Sequence, residues 1–458
     1  MGKYQPYPEY REGNGELLPR IPSHWMTGQV KYAHSVVLGK MLQSDAKSPT
    51  DMLLPYLRAA NVAWGGVNLT DIREMWFSPS ERKALKLELG DVVISEGGDV
   101  GRSAIWQGEL PECYFQNAIN RARPKGDHNS RYLYYWMSFI KEAGYIDIIC
   151  NKSTIPHYTA EKVQASPFAF PPATEQSNIS AFLDHETAKI DRLIAKQERL
   201  IELLKEKRQA VISHAVTKGL NPDVPMKESG VEWLGKVPAH WKVTKVAHHY
   251  EVILGKMLDE KRITGEHLAP YLRNTDVQWD RINVIDLPTM DFSPADRKKF
   301  ELRKGDLLVC EGGEVGRAAL WEGELRECFY QKALHRMRPL RPEEDVPRFM
   351  FYLLWHASEQ GRFTGSEGKA TIAHLPAETL RQYRFTFPPT EEQAEIASFL
   401  DSQNRKMDVL MEKAKEAVAL LQEHRTALIS AAVTGKIDVR GWQQPNTEPQ
   451  EAAEAASA

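Results

Sequence analysis

Leu302–Pro339 reads LRKGDLLVCEGGEVGRAALWEGELRECFYQKALHRMRP, and Leu87–Pro124 reads LELGDVVISEGGDVGRSAIWQGELPECYFQNAINRARP. These are one unit written twice. Extended back to Phe77 and Phe292, the copies agree at 26 of 48 positions, which ordinary composition does not produce by chance. Outward from there the correspondence continues. IPSHW ending at Trp25 returns as VPAHW ending at Trp241, and LGKML begins at Leu38 and again at Leu254. STIPH from Ser153 returns as ATIAH from Ala370, and FPPATEQ from Phe170 as FPPTEEQ from Phe387. The chain is therefore two tandem halves, each with a short Pro/Trp lead, a globular body and a long tail.

Inside each body the local signals mix strand and helix. GDVVIS and GDLLVC are short β-rich runs opened by Gly-Asp and closed by EGGDVG or EGGEVG, a strand followed by a glycine turn. AIW and ALW suit the return strand of a hairpin. RYLYYWMSFI and PRFMFYLLWHA are dense enough in apolar residues for a mostly buried helix, and SPFAFPP and YRFTFPP suit closing strands halted by paired prolines.

After each Pro-Pro the period changes to alternating steps of four and three, the pattern of a coiled-coil seam. Its apolar members are Ile179, Leu183, Ile190, Leu193, Leu200 and Leu204 in the first half, and Ile396, Leu400, Met407, Leu410, Leu421 and Leu428 in the second. ATEQ and TEEQ suit helix starts, and Gly219 and Gly435 suit helix ends. Thr174–Val216 alone would reach about 65 Å at roughly 1.5 Å per residue. Such narrow stripes need a partner, and the matching seams predict that the two helices pair antiparallel.

The expected fold class is mixed α/β (α+β), with two similar globular domains separated by two long antiparallel coiled-coil helices in a pseudo-two-fold dumbbell. The expected segments are a lead at 1–28, a first body at 29–172, a long helix at 173–219 and a second lead at 220–243. A second body at 244–389, a second long helix at 390–436 and a partly disordered tail at 437–458 complete the chain.

Composition narrows the function. The 458 residues suffice for two or three domains, and 42% hydrophobic with 26% charged residues is ordinary for a globular protein. No apolar run approaches the ~18 residues of a membrane span, and the polar start has no signal core, so a cytoplasmic protein with no membrane partner is expected. Lys plus Arg (59) against Asp plus Glu (62) gives a formal net charge of −3, so any nucleic-acid binding must rest on local patches or on a partner's charge. Cys113, Cys150, Cys310 and Cys328 form no CxxC pair, and the 14 histidines show no ligand spacing, so no metal site is expected.

Catalytic motifs fail on inspection. GVEWLGK (Gly230–Lys236) has P-loop spacing, but Val237 follows it where a magnesium-binding hydroxyl is needed, and no apolar strand precedes it. FPPA and FPPT lack the polar residue before the prolines and the aromatic after them with which an adenine methyltransferase grips a flipped base. No catalytic residue is therefore expected.

Basic and amide residues on glycine-turn scaffolds remain, and they are the candidate DNA-contacting set. In the first body these are Arg58, Asn61, Arg102, Asn117, Asn120, Arg121, Lys152 and Ser153; in the second, Arg273, Asn274, Arg317, Lys332, His335, Arg336 and Lys369. Such side chains reach phosphates or read base edges. Two alternatives stay open at this point: a stand-alone DNA methyltransferase or nuclease with an unrecognised site, and a coiled-coil adaptor that binds only proteins.

The combination of the ES-G-EWLG-VP-HW lead (Glu228–Trp241), the FPP-TEEQ-IA-FLD entry to the long helix, the ending LISAAVTGKIDVR (Leu428–Arg440) and the doubled layout resembles the specificity subunits of type I restriction-modification systems. The resemblance covers about Tyr10–Asp438. It implies that each body is a target recognition domain reading one half of a split site on double-stranded DNA. It also implies that the helices dock two methyltransferase subunits, with restriction and translocase subunits joining the complex. S-adenosylmethionine, ATP and magnesium would be used by those partners, and this chain would bind no cofactor itself. Because the two bodies share so much of the expected reading face, the target is expected to approach an interrupted palindrome.

Overall fold

The Gly-Asp openers lead into strands that are mostly apolar, Val92–Ser95 and Leu307–Cys310, with every residue buried. A computed structural model, describing residues 4–150, 156–257, 264–363 and 374–444, shows why. Each strand lies inside a four-stranded antiparallel sheet covered on both faces. In the first half the order is Ser103–Ile105, Val92–Ser95, Ile119–Pro124, His34–Leu38. Val92 and Ile94 face a core shared with the aromatic helix Ser130–Glu142, while Val93 and Ala104 face a second core. Alternation disappears because neither face meets water.

The second core is closed by a three-stranded sheet in which Met52–Leu57 pairs antiparallel with Arg73–Phe77 and parallel with Tyr114–Phe115. The second half repeats this plan. Tyr250–Leu254, Leu334–Pro339, Leu307–Cys310 and Ala318–Leu320 form its four-stranded sheet, and Leu307 and Val309 face one core while Leu308 and Cys310 face the other. The expected closing strands are present, Pro167–Phe170 against Met26–Gln29 and Arg384–Phe387 against Lys242–Lys245. All four cysteines are free and buried. Burial pushes the Cys113 and Cys328 thiols up to about 12, so they act as small apolar groups.

Gly39 and Gly255 join the two sheets in each half. A Cβ at Gly39 would lie 2.2 Å from the Gln116 carbonyl oxygen, and one at Gly255 would lie 2.3 Å from that of Gln331. Only glycine allows that approach.

The long helices run from Ala173 to Lys218 and from Thr390 to Val433. By internal contacts the chain forms two units, Met1–Gln197 with Glu416–Ala458, and Glu198–Lys415, so each helix begins in one unit and ends in the other. Within the first unit Arg425 Nε meets Asp191 Oδ1 at 2.9 Å, and within the second Arg208 is bonded to Asp408. Partner positions on one helix descend as those on the other ascend, so the pairing is antiparallel as expected.

The seam itself needs correction. Ile179, Leu183, Ile190, Leu204, Ile396, Leu400, Met407 and Leu428 are buried, and Leu421 is half-buried, but Leu193, Leu200 and Leu410 are exposed. Ile194, Ile201 and Met411, one residue further on, take the half-buried places.

Both helices stop at glycines with positive φ, Gly219 (78°) and Gly435 (71°). The expected tail boundary at 437 also shifts. Ile437 and Val439 are buried in the first unit, Asp438 N donates to Gln5 O at 2.7 Å and Tyr10 Oη donates to Gly435 O at 2.9 Å. The chain from Gly435 to Trp442 thus packs on the N-terminal lead, and residues 445–458 lie outside the described set.

Candidate nucleic-acid interface

In each half three segments remote in sequence meet at the end of the buried central strand. In the first, the turn after Ser95, the bend Gln116–Ala118 and the chain at 156–158 are tied by backbone bonds. Glu96 N donates to Ala118 O at 2.9 Å, and Tyr158 N donates to Glu96 O at 2.8 Å. Asn120, fully buried in the adjacent strand, donates its Nδ2 to Tyr158 O at 2.8 Å. The second half builds the same edge, with Glu311 N on Ala333 O at 2.9 Å, Leu375 N on Glu311 O at 2.8 Å and His335 Nε2 against Leu375 O at 2.7 Å. Burial lowers the His335 pKa, which keeps the ring neutral and suits it to donate to that carbonyl.

The structure separates the candidate residues into two groups. Several are turned inward. Arg121 Nη1 donates to the carbonyls of Ala84 and Lys86 at 3.0 and 3.1 Å, capping the helix Pro79–Leu85, and Arg336 does the same with Lys299 and Glu301 at 3.0 Å each. Asn61, 3% exposed, accepts from Arg58 N at 2.8 Å and donates to Asn68 O at 2.8 Å. As direct base or phosphate contacts, Asn61, Asn120, Arg121, His335 and Arg336 are corrected to braces, because each is buried and held by at least one hydrogen bond to the nearby backbone.

The loop-borne candidates are braced but partly open. Arg58 holds Asp71, and Arg102 Nη2 donates to Ala59 O at 2.9 Å. Arg273 pairs with Asp276 at 2.8 Å, Asn274 Nδ2 donates to Gly312 O at 3.0 Å, and Arg317 Nη2 donates to Asn274 O at 3.0 Å. The corresponding arginines Arg102 and Arg317 thus clamp corresponding loops. Asn117, half-buried, and Lys332, exposed, are different: their side chains make no hydrogen bond among the described residues. Only their backbone N–H groups are used, on Lys40 O at 2.9 Å and Lys256 O at 2.7 Å. Lys152, Ser153 and Lys369 lie outside the described residues.

Two residues of this edge escaped the sequence reading, Glu96 and Glu311. Each has one carboxylate oxygen, Oε2, buried without a hydrogen-bond partner among the described residues. Burial raises the Glu96 pKa above the usual carboxylate range. Their other oxygens approach His157 Nδ1 at 3.7 Å and His374 Nε2 at 3.1 Å. A signal was available, since Glu opens the glycine turn in both copies, but an acidic residue does not suggest a DNA face by charge. No group of three or more metal-ligating side chains occurs among the described residues, and no described helix is long and apolar enough to cross a membrane.

A twice-built edge of mixed amide, acidic and basic groups agrees with a comparison of sequences. The sequence model of the type I restriction modification DNA specificity domain matches residues 77–203 and 238–419. The chain belongs to that family. It is 22% identical over 447 residues to the EcoKI specificity subunit of Escherichia coli K12, covering 94% of this chain and 92% of that protein. It is 23% identical over 378 residues to the EcoBI specificity subunit of Escherichia coli, covering 78% and 76%. The fold is similar to a chain solved in work on complex assembly and conformational transition of the type I system, with a TM-score of 0.71, 15% identity and coverage of 91% and 99%. The HsdS subunit of Thermoanaerobacter tengcongensis matches with a TM-score of 0.55, 16% identity and coverage of 91% and 98%. For a type I specificity protein the inward arginines make sense as scaffolding: Arg121 and Arg336 cap the neighbouring helices Pro79–Leu85 and Pro294–Phe300.

Proposed function

We propose that this chain is the non-catalytic, sequence-reading subunit of a type I restriction-modification complex, with each body reading one half of a split DNA site. The observation that carries this reading is the duplicated edge, the same three segments joined by the same backbone bonds, presented once by each body. The relatives are specificity subunits of restriction enzymes, which supports the same role here. Methyl transfer and DNA cleavage then belong to partners, two methyltransferase subunits using S-adenosylmethionine and restriction subunits using ATP and magnesium. Leu193, Leu200, Leu203, Val409, Leu410 and Leu420 are exposed along the paired helices and offer apolar positions for the methyltransferase subunits. The target approaches an interrupted palindrome, because both edges share one framework.

The helix pair sets the permitted gap between half-sites. Inserting seven residues near Gln209, matched by seven near Met407 on the antiparallel partner, keeps the seam in register and adds about 10.5 Å at roughly 1.5 Å per residue. The gap in the methylated motif should grow by about three base pairs at ~3.4 Å each. Methylome sequencing of a host carrying the altered chain reads this directly. An unchanged gap, or methyl transfer by the purified chain alone, would overturn the proposal.

A further inference from the structure

The first unit contains a cavity of about 300 Å³ between the hairpin tip at Trp64–Gly65, the helix Ser130–Glu142 and the long helices. Arg131 lies on its wall. The guanidinium stacks over Tyr134 and Tyr135, with centroid distances of 5.6 and 6.0 Å, and its Nε donates to Asp184 Oδ1 at 2.6 Å. Its two terminal nitrogens make no hydrogen bond among the described residues, and the side chain is 42% exposed.

The second unit shows what completes this arrangement. Arg348, in the place of Arg131, donates its Nε to Asp401 at 2.7 Å, as Arg131 does to Asp184. Its outer edge is also occupied, since Asp280 accepts from both terminal nitrogens, one of them at 2.8 Å, and exposure falls to 24%. Asp280 follows Trp279 in the hairpin; the residue following Trp64 is Gly65. The other charges correspond: Asp184 and Asp191 with Arg131 and Arg425 in the first unit, Asp401 and Asp408 with Arg348 and Arg208 in the second. The first pocket is therefore one carboxylate short. Two fixed aspartates do not forbid a third, because the second unit holds three.

The geometry points to a carboxylate-binding site in the first unit, where a free carboxylate of about amino-acid size bridges the outer edge of Arg131 as Asp280 bridges that of Arg348. A planar guanidinium fork matches a carboxylate with two parallel hydrogen bonds. The aromatic walls of Trp64, Tyr134 and Tyr135 would cover the ligand's carbon chain. This site is separate from the DNA-reading edge and does not depend on the proposed function.

Equilibrium dialysis of the full chain against labelled glutarate tests it. The wild type should take up one equivalent saturably, and Gly65→Asp, which sets a carboxylate on the pocket wall to occupy the fork or repel a second anion, should weaken binding at least tenfold. A Cβ at Gly65 meets no atom within 4 Å and the residue, unlike Asp280 at φ 57°, lies outside the left-handed region, so this variant keeps the fold. Asp280→Gly should open the second pocket and raise the stoichiometry to two. Equal uptake by the wild type and Gly65→Asp, no saturable uptake, or phosphate displacing glutarate at lower concentration than acetate does would overturn the assignment.

Discussion

His34 begins the strand His34–Leu38 with no exposed surface, and neither ring nitrogen has a hydrogen-bond partner among the described residues. It lies among rings, with Phe168 at 5.7 Å and His128 at 6.2 Å between centroids. Burial, helped by the nearby His128 and Lys125, lowers its pKa from 6.5 to about 3. The folded state thus holds the ring neutral while the unfolded chain takes up a proton below pH 6.5. Stability contributed by the neutral ring is complete above the unfolded pKa and is lost as pH falls from 6.5 toward 3. At pH 5 the unfolded state is favoured by about 1.5 pH units of proton binding, or ~2 kcal/mol. That figure barely depends on the folded value, because pH 5 lies well above it. His34→Leu removes the titration at similar volume. Urea unfolding at pH 7.5 and pH 5.0, with hydrogen exchange of His34–Leu38 as the readout for the first unit, should show the variant losing ~2 kcal/mol less than the wild type between these pH values. Equal losses would refute the reasoning. The second half supplies a contrast: the corresponding strand position, opposite Pro339 as His34 is opposite Pro124, holds a buried tyrosine, Tyr250.

The corrected helix seam predicts that Ile201→Asp, at a half-buried position, costs about 2 kcal/mol in urea unfolding, whereas Leu200→Asp one residue earlier stays within roughly 0.5 kcal/mol. Gly39→Ala should destabilise the first unit by about 2 kcal/mol or more, since its Cβ would overlap the Gln116 carbonyl, and hydrogen exchange around Phe115 would report the separation of the two sheets. Glu175 accepts from Tyr7, from Trp25 Nε1 at 3.1 Å and lies 2.9 Å from His24 Nε2, pinning the lead to the first turn of the long helix. Glu175→Gln should cost roughly 1–2 kcal/mol and lower the first thermal transition, with proteolysis of the lead as the check.

The repeat, the strands, the glycine turns and the helix ends were legible because each is written in local residue types and spacing. The seam register was legible only in part. Leu193 with Ile194, Leu200 with Ile201, and Leu410 with Met411 offer apolar stripes one residue apart, and only the partner helix decides which turns inward. The binding residues were harder still. An arginine at a strand end looks like a phosphate contact, but Arg121 and Arg336 are claimed by the free carbonyls at the ends of neighbouring helices, Pro79–Leu85 and Pro294–Phe300. Those acceptors lie more than thirty residues away in sequence, so no local pattern announces them. Glu96 and Glu311 were passed over for the opposite reason, that their charge argues against a DNA face until the fold puts them on it.

Comparing the two halves separates framework from readout more sharply than either half alone. Arg102 and Arg317 clamp corresponding loops, Arg121 and Arg336 cap corresponding helices, and Glu96 and Glu311 join corresponding segments; in each pair residue and contact are both retained. Asn117 and Lys332 stand at matching places on the edge, differ in kind, and have side chains that make no hydrogen bond among the described residues. A neutral amide can both donate and accept, whereas an ammonium only donates, and these alternatives favour different base edges. If the edges read DNA, Asn117→Lys should shift the first half-site toward the second without disturbing the fold, since no hydrogen bond of the native side chain is lost among the described residues. One good base contact discriminates by about 1–3 kcal/mol, so the change should appear in the methylome as a relaxed or altered base at one position of one half-site, with the gap unchanged. Loss of methylation at every site, with the chain folded and assembled, would instead make Asn117 a general DNA contact; an unaltered motif would remove this bend from the reading face and leave the discrimination to other parts of the edge.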